Sequence, residues 1–132
     1  MATISFDYDY TLWDAEQDCF IEETVNRMRQ HIAIGDRVII VTARIQVWAD
    51  EAKVDIERMM GMTFEVFSCP GTYDPVRGGT EGRNKSDVLI AEGATVHFDD
   101  IPNDSSLFMA REAGIDVRMP PATSANRSRG MY

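Results

Sequence analysis

Near its start the chain reads Ile4-Ser5-Phe6-Asp7-Tyr8-Asp9-Tyr10-Thr11-Leu12-Trp13. An apolar strand runs straight into two carboxylates spaced i, i+2, followed by a hydroxyl and a wide aromatic. Carboxylates are poor strand formers, so a pair closing the first strand of a domain needs a reason. A solvated turn would be the plain one. Three further pieces, in a fixed order, point elsewhere: Thr42 ends a second apolar strand, Lys85 opens a helix, and Asp99-Asp100 end a third strand.

Outward from that stretch, hydrophobic periodicity predicts alternating strands and helices. Residues 2–7 read as a buried strand, and residues 10–17 as a short connector with a turn near Trp13-Asp14. A helix is expected at about 18–33, because Ile21, Val25, Met28 and Ile32 form one apolar face, with Gly35 as its stop. Val38-Ile39-Ile40-Val41 is apolar on both faces, as parallel strands are, and belongs to a strand from Arg37 to Thr42. A second helix is expected at about 46–60, with Trp48, Ala52, Ile56 and Met59 inward and Gly61 ending it. Residues 63–69 read as a strand, 70–83 as a long glycine-bearing loop, and 84–92 as a short helix. Residues 95–98, 104–113 and 115–118 complete the pattern as strand, helix and strand. Loops as long as 70–83 in a small domain tend to be functional.

Such alternation implies an α/β, three-layer, Rossmann-like domain: a mainly parallel five-stranded sheet with helices on both faces. The 132 residues suit one domain, taken here as residues 1–120, with 121–132 as a polar, serine- and arginine-bearing tail. The longest apolar run is far too short to span a bilayer, and Asp7 and Asp9 interrupt the place where a signal peptide would need its apolar core. Cys19 and Cys69 have neither metal spacing nor a disulfide framework. A cytoplasmic protein with reduced thiols and no obligate protein partner is expected.

The net charge of −9 argues against general affinity for nucleic acid or anionic membrane. If Asp7, Asp9, Asp99, Asp100 and Asp104 converge on a metal, 17 acidic residues remain against 13 basic ones. That is an ordinary acidic surface, compatible with a local basic rim.

Ligands of open parallel sheets bind outside the carboxyl ends of the strands. Asp7, Thr42 and Asp99-Asp100 all fall at such ends, and Lys85 can reach the same edge. Clustered carboxylates repel each other unless a cation neutralises them, and oxygen-only ligands favour magnesium. Lysine and threonine beside such a site supply an anion cradle. An aspartate so placed can attack phosphorus, while a second can protonate the leaving oxygen and then activate water.

Asp7-Tyr8-Asp9-Tyr10-Thr11, then Val41-Thr42-Ala43-Arg44, then Lys85, then Phe98-Asp99-Asp100 resembles the four-motif signature of the haloacid dehalogenase superfamily, across residues 3 to about 118. The resemblance implies a magnesium-dependent phosphatase that works through an aspartyl-phosphate. Carried over by position, Asp7 is the nucleophile and Asp9 the general acid/base, with its backbone carbonyl facing the metal. Thr42 and Lys85 hold the phosphoryl group, Asp100 is the acidic ligand with Asp99 beside it, and Asp104 offers a second spacing for that motif. Tyr10 departs from the pattern, since many members carry glycine there. Neither gap between motifs has room for a cap domain, and capless members commonly act on large substrates. The run Thr-Ala-Arg, a basic glycine-bearing loop, Lys85 and the double aspartate is also similar to the 3′-phosphatase domain of polynucleotide kinases. It implies a nucleotide or a nucleic-acid 3′ end as substrate, with a small-molecule phosphate, or a non-catalytic binding protein on the same scaffold, as alternatives.

Substrate contacts are expected from Thr11, Trp13, Arg44, Arg77 and Arg83. Trp13 is either a platform for a base or a flap contact. His97 alternates with Val96 and Phe98 and is expected to be packed or hydrogen-bonded rather than catalytic, His31 to lie on a helix surface, and Trp48 to be core. A phosphoryl-receiving signalling domain uses a similar residue set. Such receivers, however, resemble a chain with the acid pair first and the phosphorylated aspartate in mid-chain, whereas here the pair comes last.

Overall fold

The computed structural model describes residues 1–74 and 79–123, with residues 72–74 and 79–81 described by their backbone alone. In chain order the elements are β1 (Thr3–Phe6), β2 (Trp13–Asp14), β3 (Cys19–Phe20), α1 (Glu22–Ala33), β4 (Arg37–Thr42), α2 (Gln46–Met60), β5 (Glu65–Ser68), β6 (Thr72–Asp74), β7 (Gly79–Glu81), α3 (Lys85–Ala91), β8 (Val96–Phe98), a 3₁₀ turn at Ser105–Leu107, α4 (Phe108–Glu112) and β9 (Asp116–Arg118). Five strands form one sheet in the order β5-β4-β1-β8-β9, and every neighbouring pair is parallel. This is the expected three-layer α/β fold.

Side-chain alternation along the strands divides the core in two. Ile4, Phe6, Ile40 and Phe98 pack with Val25 and Met28 of α1 and with Ala52 and Ile56 of α2. Ile39 and Val41 point the other way, onto Val88 and Leu89 of α3 and Ala110 of α4. The chain leaves β1 for β4 and β5 on one side, then crosses to β8 and β9 on the other. The crossover makes the carboxyl end of β1 the switch point of the sheet, where a crevice opens.

Four expectations change. Helix α1 starts at Glu22, not near 18, because residues 13–20 pair as an antiparallel hairpin, Trp13 with Phe20 and Asp14 with Cys19. The Asp14 carboxylate accepts the amides of Glu16 (3.1 Å) and Gln17 (3.2 Å), and Asp18 takes φ +57°, a turn built from side-chain bonds that compete with helix. Within the 70–83 segment β6 and β7 pair antiparallel instead of forming an irregular loop. The expected helix at 104–113 begins as a 3₁₀ turn, with Asp104 accepting the amide of Ser106 at 3.0 Å. Trp48, expected inward, is 53% exposed. The buried face of α2 is Ala49, Ala52 and Ile56, and Trp48 lies one residue off it.

Among the described residues there is no cap domain: β1 and α1 are joined through the β2–β3 hairpin, and β4 and α3 through α2, β5 and the β6–β7 pair. No described helix is long and apolar enough to cross a membrane. Of the expected tail, Ala122 is buried and its carbonyl accepts from Thr24 Oγ1 at 2.8 Å. Residues 124–132 lie outside the described residues.

Candidate active site

Asp7 follows the last residue of β1, and its amide donates to the Phe98 carbonyl at 2.9 Å. This places the carboxylate between the ends of β1 and β8. The chain then turns tightly, with the amides of Thr11, Leu12 and Trp13 all donating to the Tyr8 carbonyl. Closing that turn requires φ +63° at Tyr10, a left-handed conformation that glycine adopts without strain and tyrosine does not. The departure from glycine noted in the sequence thus falls at a position whose backbone favours glycine.

The turn brings Thr11 back beneath the two acidic strand ends. Its hydroxyl donates to Asp7 Oδ2 (3.2 Å) and accepts the Asp100 amide (3.1 Å). Lys85 enters from the opposite layer. Asn84 caps α3 in a reciprocal capping box with Asp87, a device that fixes the first helical turn, and Lys85 is the first residue of that turn. Its buried ammonium donates to Asp7 Oδ1 at 3.0 Å and Asp99 Oδ2 at 2.8 Å.

Three carboxylates, of Asp7, Asp99 and Asp100, offer oxygens that all lie within 4.8 Å of one another. Their environments differ. Burial pushes Asp7 up to about 7, and the Asp99 charge adds to this while Lys85 opposes it. Burial likewise raises Asp100. Asp99 is also opposed by burial, yet the His97 hydrogen bond and the Lys85 charge hold it well below the usual carboxylate range. For Lys85, burial disfavours the charge, and Asp7 and Asp99 more than offset it.

Asp99 is the most occupied of the three. Oδ2 meets Lys85 and, at 3.0 Å, His97 Nε2, while Oδ1 accepts the Ile101 amide at 3.0 Å. His97 is fully buried, with Nδ1 2.8 Å from Ser5 Oγ, hydrogen-bonded as its alternation in β8 suggested. Asp7 and Asp100 therefore keep more lone pairs for a cation, and the carboxylate-only donor set suits a hard, oxygen-preferring ion of the magnesium or calcium type.

Asp9 turns away from this cluster. Arg44 grips its carboxylate with two parallel bonds of 2.8 Å from Nε and Nη2, a bidentate pair of the strong type. The same guanidinium donates to the Trp48 carbonyl at 3.1 Å and sits 4.9 Å from the centre of the Tyr8 ring. Thr42 is buried at the end of β4, and its hydroxyl oxygen accepts the Arg44 amide at 3.2 Å. A cavity of about 210 Å³ opens over the cluster, lined among others by Asp7, Asp9, Tyr10, Lys85, Asp100 and Asp104.

The remaining candidates spread out. The Asp104 carboxylate accepts from the backbone and hydroxyl of Ser106. Arg83 donates to the Ser68 carbonyl at 2.9 Å, on the far side of β5 from β1. Trp13 stacks on Tyr8 and meets Phe20 edge-on, facing a second and larger cavity. Arg77 lies outside the described residues. Sequence reading missed Ala43, Ile101 and Ser106 as walls of the smaller cavity, since nothing in their residue types points to chemistry. It also missed that Trp48 joins Trp13 at the larger one. The i, i+3, i+7 set Ala49-Ala52-Ile56 was the available signal.

Comparison of the chain with family models, with curated proteins and with solved structures finds no match. The functional reading therefore rests on the site itself.

Proposed function

We propose that the protein is a magnesium-dependent phosphomonoester hydrolase that works through an aspartyl-phosphate on Asp7, as the resemblance to the haloacid dehalogenase superfamily suggests. One observation carries the reading. Asp7 and Asp100, on adjacent parallel strand ends, share a small cavity with the buried ammonium of Lys85, while a further carboxylate, Asp9, stands at the cavity wall.

In the first step an Asp7 oxygen attacks phosphorus and the ester P–O bond breaks. Asp9, protonated on one oxygen that Arg44 gives up as the substrate enters while the other stays bound, gives that proton to the leaving oxygen. In the second, Asp9 takes a proton from water, the water oxygen attacks phosphorus, and the Asp7–phosphorus bond breaks to release inorganic phosphate. Lys85 holds the phosphoryl oxygens by charge, and the Thr42 hydroxyl, at the neighbouring strand end, is the second group assigned to them. Magnesium held by Asp7 and Asp100, with the Asp9 carbonyl, would neutralise the carboxylates and so let an anionic phosphate approach. Thr11 keeps Asp7 and Asp100 in register, and Asp99 keeps Lys85 in place.

Of the two substrate readings, a nucleotide or nucleic-acid 3′ end and a small-molecule phosphate, the second is favoured. Arg44 is bound to Asp9, and Arg83 lies on the Ser68 carbonyl of β5; neither lines the cavity over Asp7. The test is hydrolysis of p-nitrophenyl phosphate with magnesium and with EDTA, in wild type and in Asp7→Asn. Turnover should need magnesium and disappear in Asp7→Asn, whose amide cannot act as the nucleophile. Turnover that survives that substitution rules the mechanism out.

A further inference from the structure

A cavity of about 670 Å³ lies between the β2–β3 hairpin and α2, on the other side of the Asp9–Arg44 pair from the smaller one. The hairpin contributes Trp13 and Asp18. Helix α2 contributes Trp48, Glu51 and Asp55, spaced i, i+3, i+7 on one face, and Arg44 also lines the groove. On the reading above, Asp9 delivers its proton to the leaving oxygen. The alcohol part of the substrate must then extend on the side of Asp9, which is where Arg44 and this larger cavity stand.

We propose, resting on that phosphatase reading, that this groove seats the leaving group of the substrate and selects one carrying a positively charged ammonium, as in a phosphorylated amino alcohol. Charge is the first argument. Asp18, Glu51 and Asp55 line the groove, and among the described residues its one basic lining group, Arg44, is neutralised by two bonds to Asp9. A cation relieves the repulsion among three carboxylates; an uncharged base does not, and a second phosphate adds to it.

Shape and chemistry of the walls are the second. Two indoles line one groove, and the face of an indole attracts ammonium ions more strongly than any other side-chain ring. Trp48 is 53% exposed, so its indole is open to a ligand in the groove. The third is Tyr8, which lies beneath the Arg44 guanidinium. It is 1% exposed, and its buried hydroxyl has no hydrogen-bond partner. After burial itself, the charge that bears most on that hydroxyl is that of Asp55. A buried hydroxyl without a partner is uncommon in a finished core, and here it adjoins the acidic wall.

The experiment pairs phosphocholine with its uncharged carbon isostere, in which a tert-butyl group replaces the trimethylammonium. With magnesium present, wild type should show a kcat/KM for phosphocholine higher by about tenfold, the scale of one desolvated cation–π contact. A Glu51→Gln, Asp55→Asn double variant should bring that ratio close to one. Choline alone, but not the isosteric alcohol, should perturb tryptophan fluorescence, and Trp48→Ala should lose the change. Equal hydrolysis of both phosphates with no response to choline overturns the proposal and leaves the phosphatase reading intact. A preference for a nucleoside monophosphate that disappears in Trp48→Ala also overturns it, in favour of base stacking. Choline binding with no hydrolysis of any phosphate supports the groove as a cation site and removes the phosphatase reading instead.

Discussion

Asp9 and Arg44 form a bidentate ion pair in the candidate site, with Asp9 lining the smaller cavity and Arg44 the groove beside it. A general acid must reach the leaving oxygen at hydrogen-bond distance. Here a bidentate arginine fixes the orientation of the carboxylate before substrate arrives. Arg44→Ala should therefore lower kcat towards a small phosphate by roughly 10–100-fold, a positioning loss. Asp9→Asn should lower it further, within the roughly 10²–10⁴-fold range of general acid/base catalysis. Arg44 is partly exposed, with 22% of its side chain accessible, so the fold should tolerate the change. Steady-state kinetics with p-nitrophenyl phosphate check this, and an unchanged kcat in Arg44→Ala contradicts the positioning role. Asp99 shows the complementary arrangement. Lys85, His97 and the Ile101 amide occupy it, which leaves Asp100 as the freer of the adjacent pair.

At the level of elements, the turn from Asp7 to Trp13 sets the geometry of the site and carries its clearest local strain. Tyr10 holds φ +63° while 40% exposed, so it loses little packing if replaced. Tyr10→Gly should raise stability by about 1 kcal/mol, the scale of the left-handed penalty. Because Tyr10 lines the cavity over Asp7, substrate binding should weaken at the same time. Denaturant melts and KM measured together test this; a variant less stable than wild type contradicts the strain. How far the elements were legible follows from how local their causes are. The strands ending at Phe6, Thr42 and Phe98 and the helix beginning at Lys85 were readable because apolar periodicity and capping are local properties. From them followed the five-stranded sheet and the convergence of Asp7, Thr42, Lys85 and Asp99-Asp100 on one edge. The β2–β3 hairpin was not readable, because its turn depends on Asp14 side-chain bonds and its apolar residues fit a helix equally well. Nor was the outward position of Trp48. Aromatics are expected in cores, and only the helix register against Ala49 and Ala52 reveals the groove. The Asp9–Arg44 pair spans 35 positions in sequence, a tertiary contact that residue spacing does not show.

For the whole molecule, gathering three carboxylates at one sheet edge links stability to pH and, on the proposed function, to magnesium. Asp7 moves from an ordinary 3.8 up to about 7 in the fold, so the folded state binds a proton more tightly than the unfolded chain. The stability this confers is fully present below the unfolded value and is lost as pH rises through about 7. Asp99, held low, is ionised in both states across that window and contributes no slope there. Metal-free protein should therefore melt on the order of a few degrees lower at about pH 8 than at about pH 5. Magnesium, which needs the carboxylate deprotonated, should recover more stability at the higher pH. Thermal melts with and without magnesium check both signs, and a metal shift that is larger at low pH contradicts them. The proposed mechanism depends above all on a carboxylate oxygen of Asp7 as the atom to which phosphorus is transferred. Rapid acid quench of the Asp9→Asn variant with magnesium and phosphomonoester, followed by borohydride reduction and peptide mass mapping, reads that out. Asp7, and no other acid, should be reduced to homoserine, the product of an acyl phosphate. Reduction at a different residue, or turnover of phosphate with Asp7 never modified, would contradict that mechanism.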